Sequence, residues 1–201
     1  MRRGQISLEF MLVFGILLIL MVYSVNNITF QSGSPSTENL RIQVSLEEKA
    51  LANAISGTVS QVYAQGAGAK ATSYVKLTFL RNPQYLSSGL GITGPQIFIS
   101  YANGTYVTVT GNGYVPIMKG GNKTVFWSRA LYSKTLYNDS QVWSPSGSIT
   151  VNTTTMYGIV IDPTTIPAVL KVVVMWDPAS TDSWVYDPNL GELKITINPG
   201  G

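Results

Sequence analysis

Neither cysteine nor histidine occurs anywhere in the 201 residues of this chain. Without cysteine there is no disulfide to staple a small domain and no thiolate to act as nucleophile or metal ligand. Secreted proteins can lack both, so this absence leaves the compartment open. Without histidine the commonest general base, the commonest zinc ligand and the usual partner of a nucleophilic serine are missing. Carboxylate-only catalysis passes this filter; most other enzyme classes do not. Charge is scarce as well: 11% of the residues are charged, against roughly a quarter in an average soluble domain. So few charges fit a surface of uncharged polar groups, or one buried against copies of itself. The formal charge is +3, but Arg2 and Arg3 supply two of those units. No basic stripe exists elsewhere to neutralise a run of phosphates, which argues against a nucleic-acid partner.

What the chain does have is one long apolar run. From Phe10 to Phe30 there is no charged residue, and Met11 to Val22 form an apolar centre interrupted only by Gly15. That approaches the roughly 20 residues a helix needs to span about 30 Å of hydrocarbon. Arg2 and Arg3 precede the run and no basic cluster follows it, which predicts an N-terminus inside and the remainder outside. Three readings compete. A secretory signal would have a shorter core and a small-x-small cleavage site, whereas this core flows into Tyr23-Ser24-Val25-Asn26-Asn27. A plain anchor fits the length but leaves Glu9 and the Arg-Arg-Gly lead unexplained.

The third reading uses all of these residues. Arg3-Gly4-Gln5-Ile6-Ser7-Leu8-Glu9-Phe10 resembles the class III signal peptide of archaeal type IV pilins, with its Gln-x-Ser-x-Glu core. The resemblance implies cleavage by a prepilin peptidase between Gly4 and Gln5, on the cytoplasmic side of the apolar run, which is therefore retained. Gln5 becomes the new N-terminus and Glu9 the fifth mature residue. It further implies that Glu9 pairs with the free amine of a neighbouring subunit, and that Gln5, Glu9, Phe10 and Phe14 belong to the assembly surface. A carboxylate at the edge of an apolar span is costly unless paired or kept at the interface. Its plainer role is a helix-start charge at the membrane boundary, favoured by the helix dipole. The Gln-x-Ser-x-Glu pattern favours the pilus branch over the related motor filaments.

Beyond the run, Gln31-Ser32-Gly33-Ser34-Pro35-Ser36 reads as a kink or hinge. A second helix is expected over 36–66, with Ser36 or Thr37 as its cap and Gly66-Ala67-Gly68 as its end. Leu40, Val44, Leu51, Ile55, Val59 and Val62 form its apolar stripe, with Glu47, Glu48 and Lys49 off it. From about Ala71 the pattern turns to short β-type runs. These are Tyr74–Leu80, Gln96–Ala102, Thr105–Thr110, Tyr114–Met118, Thr124–Ser128, Ser148–Thr154, Tyr157–Ile161, Ala168–Trp176, Ser183–Tyr186 and Glu192–Asn198. Asn103-Gly104 is a hairpin signal and Asp187-Pro188-Asn189-Leu190-Gly191 a second turn. The fold class expected is α+β: a long hydrophobic N-terminal helix, an amphipathic second helix, then a β-rich, sandwich-like head. The divisions expected are a leader at 1–4, a membrane or filament-core helix at 5–31, the amphipathic helix at 36–66 and the head at 71–201.

Five Asn-x-Ser/Thr sequons, at Asn27, Asn103, Asn122, Asn138 and Asn152, are glycosylation candidates, most of them in or beside expected turns. Asp177, Asp182, Asp187 and Asn189 cluster in sequence but lack the spacing of a calcium loop. Asp162, Asp177 and Asp187 each precede proline, which is turn chemistry. Gly89-Leu90-Gly91 and Gly111-Asn112-Gly113 read as loop glycines without nucleotide-binding context. Trp127, Trp143, Trp176 and Trp184 could line a sugar-binding face, but core and interface packing is the favoured reading. No catalytic residue, metal or cofactor is expected. The function expected is a structural pilin of an adhesive extracellular filament. Its partners would be copies of itself, the prepilin peptidase, the assembly platform, and lipid before assembly. A minor pilin or anchored surface-binding protein is the alternative, and a tethered enzyme with a carboxylate pair the third.

Overall fold

The computed structural model describes residues 3–29, 35–112, 116–117, 123–151 and 153–200, and within the first helix the side chains of 10–24. Helix α1 covers Arg3–Thr29 and α2 covers Pro35–Gln65. There follow β1 (Lys70–Lys76), α3 (Pro83–Leu90), β2 (Thr93–Tyr101), β3 (Gly104–Asn112) and β4 (Val125–Arg129). The chain continues through β5 (Trp143–Ser144), β6 (Ser146–Val151), β7 (Thr154–Ile161), β8 (Val169–Trp176), β9 (Ser183–Asp187) and β10 (Glu192–Ile197). The architecture is α+β, an N-terminal helix leading into β-rich sheets.

The strands form two five-stranded sheets, ordered β1-β8-β10-β9-β5 and β4-β3-β2-β7-β6. The second is antiparallel throughout, while the first is mixed, with β8 parallel to β10 and β5 parallel to β9. Alternate residues of both sheets enter one apolar core: Ile97, Ile99, Val107, Val109, Ile159 and Ile161 from one, Leu170, Val172, Val174, Leu193, Ile195 and Ile197 from the other. Inward residues at a period of two explain why the β-branched runs form strands rather than helix.

Helix α2 adds Val44, Leu51, Ile55, Val59 and Val62 to that core. Glu48 corrects the expected stripe. It lies four residues after Val44 and three before Leu51, on the same face, and is 3% exposed. The helix starts at Pro35, so Ser36 and Thr37 sit in its first turn rather than capping it. Proline is suited to that position because its missing N–H has no helical acceptor.

Two further expectations are corrected between β1 and β2. The strand placed over Tyr74–Leu80 is Lys70–Lys76, because the chain turns at 78–80. The Glu47 carboxylate there accepts the backbone N–H groups of Thr78, Phe79 and Leu80 at 2.7, 2.8 and 2.9 Å. Residues 83–90, where only Gly89-Leu90-Gly91 were read, as loop glycines, form α3. Asn82 caps it by accepting from Gln84 N and Tyr85 N, Pro83 opens it, and Gly91 closes it in the left-handed region. Gly89 therefore lies in a helix, and its bare Cα lets Leu40 of α2 pack at contact distance. Gly111 likewise lies within β3.

The Asn103-Gly104 hairpin joins β2 to β3 as expected, with Asn103 at φ 53° and Gly104 at φ 155°. A Cβ on Gly104 would collide with the Ser128 carbonyl. The run Ser148–Thr154 divides into β6 and the start of β7, which form a hairpin. Of the expected Tyr114–Met118 strand, 116–117 are not extended pairing partners, and 114, 115 and 118 lie outside the described residues.

Candidate functional site

The residues singled out by the sequence fall on α1. Gly4, Gln5 and Glu9 lie on its backbone path, with side chains outside the described set, as is that of Asn27. Phe10 and Phe14, one turn apart, stack with ring centroids 6.3 Å apart. Every large apolar side chain from Phe10 to Tyr23 is exposed in the isolated chain, from 47% at Leu18 to 74% at Met11. Among the described residues, no face of this stretch is buried against the rest of the molecule. An all-round apolar helix left uncovered is unfavourable by about 1.5–3 kcal/mol per large side chain relative to burial. It therefore needs lipid or other protein around it. Among the described residues no helix is long and apolar enough to cross a membrane; the side chains described on α1 run only over 10–24. Exposed apolar groups continue on α2 at Ile42 and Leu46, beside Ile117, in a groove of about 630 Å³ that also holds Leu90 and Phe126.

Polar side chains of α2 tie the helix to both sheets, through partners too distant along the chain for any local motif to signal. Ser56 Oγ donates to the Ser128 carbonyl at 2.6 Å and accepts the Thr105 N–H at 3.0 Å, inside the protein. Lys49 Nζ donates to the Trp127 carbonyl at 2.7 Å, and Ser60 Oγ accepts the Leu131 N–H at 2.9 Å. Ser56 thus bridges β3 and β4, Lys49 holds a carbonyl of the edge strand β4, and Ser60 holds the chain just beyond it. Thr58 bonds Ser73 of β1 at 2.8 Å. Ser56→Ala leaves the buried Thr105 N–H without this acceptor and the half-buried Ser128 carbonyl without this donor, and should cost on the order of 1–3 kcal/mol. Ser60→Ala, at an exposed bond, should cost under about 1 kcal/mol. Urea unfolding midpoints at unchanged slope measure both.

Glu48 is the one buried carboxyl on α2. Its Oε1 accepts the Val109 N–H at 2.9 Å. Burial holds it well above the usual carboxylate range, with the Val109 bond pulling the other way. At the opposite end of the sheets, Asp182 is buried and accepts from Tyr132 OH at 2.8 Å and Asn198 N at 3.1 Å, with Lys134 as its ion-pair partner. Burial, then the bond to Asp182, pushes the Tyr132 phenol upward.

Three further aspartates form turns. Asp177 accepts from Ala179 N at 3.0 Å and from the Ser180 hydroxyl, Asp187 from Asn189 N at 2.9 Å, and Asp162 from Thr164 N at 2.8 Å. Among the described residues no group of three or more acidic side chains converges as a cation cage. The tryptophans divide: Trp143 and Trp184 are buried, Trp176 stacks on Tyr63, and Trp127 is 40% exposed against Tyr106. Asn103 and Asn138 are exposed, each at a turn, while Asn122 and Asn152 lie outside the described residues.

No curated protein and no solved structure matches this chain. Residues 2–28 match the family model of the class III signal peptide. That match begins in the Arg-Arg lead and ends within α1, covering the residues that carried the sequence resemblance. The N-terminal segment is thus a class III signal peptide, the hallmark of archaeal type IV pilin-like proteins.

Proposed function

We propose that this protein is a structural pilin, the non-enzymatic subunit of an archaeal type IV-like extracellular filament. The precursor sits in the cell membrane with its N-terminus inside and its head outside. Prepilin peptidase cuts between Gly4 and Gln5, removing a leader at 1–4. The assembly platform then moves the retained helix, 5–31, from lipid into the filament, where copies of the same helix surround it. The observation that carries this reading is a class III signal peptide continuous with a helix whose apolar side chains are exposed from Phe10 to Tyr23. Transfer from lipid to filament exchanges one apolar surrounding for another, so a helix apolar on all sides suits both. Adhesion to surfaces or other cells is the role assigned to the displayed head, with Asn103 and Asn138 as exposed positions for glycans.

The test is the N-terminal peptide of this protein in filaments sheared from native cells. Mass spectrometry is expected to find an abundant peptide beginning at Gln5. A chain still beginning at Met1, or cut beyond Tyr23 and missing from filaments, overturns the reading and leaves an anchored or secreted surface protein.

A further inference from the structure

Six aromatic rings form an unbroken column through the head. Trp176 stacks on Tyr63 at 5.8 Å between centroids, Tyr63 meets Tyr132 at 5.8 Å, and Tyr132 meets Tyr101 at 6.0 Å. Tyr101 meets Trp184 at 5.2 Å, and Trp184 meets Trp143 at 5.3 Å. Each step lies within the range of about 4.5–7 Å at which aromatic rings pack directly. The outer end is open to solvent, since Tyr63 is 37% exposed, while Tyr132, Tyr101, Trp184 and Trp143 are buried.

Packing alone does not explain how the protons are arranged along this column. The indole N–H groups of Trp143 and Trp184 are buried with no acceptor among the described residues, although buried tryptophans normally find one. Tyr101 donates to a neutral carbonyl, that of Tyr132, at 2.7 Å. Tyr132 alone in the column donates to a carboxylate, Asp182, at 2.8 Å. Asp182 is itself held in place by Lys134 and the Asn198 N–H.

The geometry points to a relay for oxidising equivalents, in which Tyr132 and Asp182 draw a one-electron hole away from the buried tryptophans toward the surface. The oxidant is an external one-electron acceptor, such as a sulfate or peroxyl radical, reduced to its anion as an indole becomes a radical cation. With no acceptor for its N–H, that indole keeps its proton and remains strongly oxidising. An electron then moves from Tyr132 through Tyr101 to the indole, restoring it, while the phenol proton passes to Asp182 Oδ1. Next Tyr63 gives an electron to Tyr132, which recovers its proton from Asp182, and the Tyr63 proton goes to solvent. A soluble thiol ends the sequence by giving a hydrogen atom to the Tyr63 oxygen, leaving a thiyl radical. Oxidation is thereby moved from core indoles, where it would be permanent damage, to an exposed phenol that solutes can repair.

The test uses the full chain in detergent micelles, oxidised by photogenerated tris-bipyridyl ruthenium(III). Tyrosyl radical is read by electron paramagnetic resonance, and oxidised Trp143 and Trp184 by peptide mass spectrometry. Tyr132→Phe keeps the ring but removes the proton, and Asp182→Asn keeps the shape but removes the base. Both are expected to lower the tyrosyl signal and raise oxidation at Trp143 and Trp184 severalfold. Tyr137→Phe, off the column, is expected to change neither. Circular dichroism establishes that each variant is folded. Unchanged tryptophan oxidation in folded Tyr132→Phe or Asp182→Asn, or an equal rise in Tyr137→Phe, overturns the relay.

Discussion

Cells carrying Glu9→Gln are expected to insert and cleave the precursor at normal levels yet to shed at least tenfold fewer filaments. If the protein is the pilin proposed above, the cause is where charge sits relative to the apolar run. Glu9 immediately precedes a stretch from Phe10 to Phe30 with no charged residue. A carboxylate there is tolerated at the lipid boundary, but filament assembly surrounds it with apolar helices. In that setting it needs a cation, and cleavage before Gln5 creates one in the new amino terminus. Breaking a buried ion pair by removing one partner typically costs about 3–5 kcal/mol, because the remaining charge is left uncompensated. That exceeds what a tenfold loss requires. Glutamine keeps the size and hydrogen-bonding ends of the side chain, so a loss reports on charge rather than shape. Immunoblots of sheared and membrane fractions separate assembly from processing. Wild-type filament yield from Glu9→Gln would remove the pairing argument while leaving the cleavage prediction standing.

The second large effect is expected at Glu48, and it has a definite sign in pH. Its folded-state pKa is raised by burial, whereas in the unfolded chain it titrates near the ordinary value of about 4.3. Between those two values the folded state holds a proton that the unfolded state has lost. Stability contributed by this group is therefore complete below about pH 4.3 and declines as pH rises through the folded-state pKa. The slope in that window is at most about 1.4 kcal/mol per pH unit. Asp177, whose pKa is lowered by Ser180 and the Ala179 N–H, acts in the opposite sense. Its contribution is lost only as pH falls through the acid range. Glu48→Gln keeps an acceptor for the Val109 N–H and cannot ionise. It should flatten the decline and leave the protein more stable than wild type at pH 7–8. Urea unfolding followed by the fluorescence of buried Trp143 and Trp184 measures this across pH 4–8. A wild-type profile that is flat from pH 5 to 8, with Glu48→Gln unfolding at the same urea concentration, would show that Glu48 ionises without penalty.

Particular residues show where reading the sequence succeeded. Val44, Leu51, Ile55, Val59 and Val62 recur at helical spacing, and helical spacing alone puts them on one face. Asn103-Gly104 marks its hairpin because few residue pairs tolerate the backbone angles that turn requires. The β-branched runs of β2, β3, β8 and β10 were visible for the same local reason, to within three residues at each end. Helix α3 was legible but unread: Asn82-Pro83 is a cap followed by a first-turn proline, and Gly91 a closing glycine. Those signals are local and were available, whereas the pull of Glu47 on the 78–80 backbone was not.

Glu48 marks the limit of pattern reading. Its position on the helical face was countable, but its charge argued it off that face. The Val109 N–H, 61 residues away, and the proton that burial holds on the carboxyl make its burial tolerable. The same holds for Ser56, whose neighbours on α2 are unremarkable until Thr105 and Ser128 are brought against it. Strand order is non-local in the same way, since nothing near β8 states that β1 and β10 will flank it.

The sequence by itself determined the export signal, the apolar helix that follows it, the amphipathic stripe of α2 and the presence of many short strands. Each depends on residues within a few positions of one another, where backbone preference and hydrophobic period act. Tertiary structure decided the pairing of the sheets, the bonds that tie α2 to them, the burial of Glu48 and Asp182, and the alignment of six aromatic rings. Those features join residues tens of positions apart, and such contacts are set by which surfaces exclude water together once the whole chain has packed.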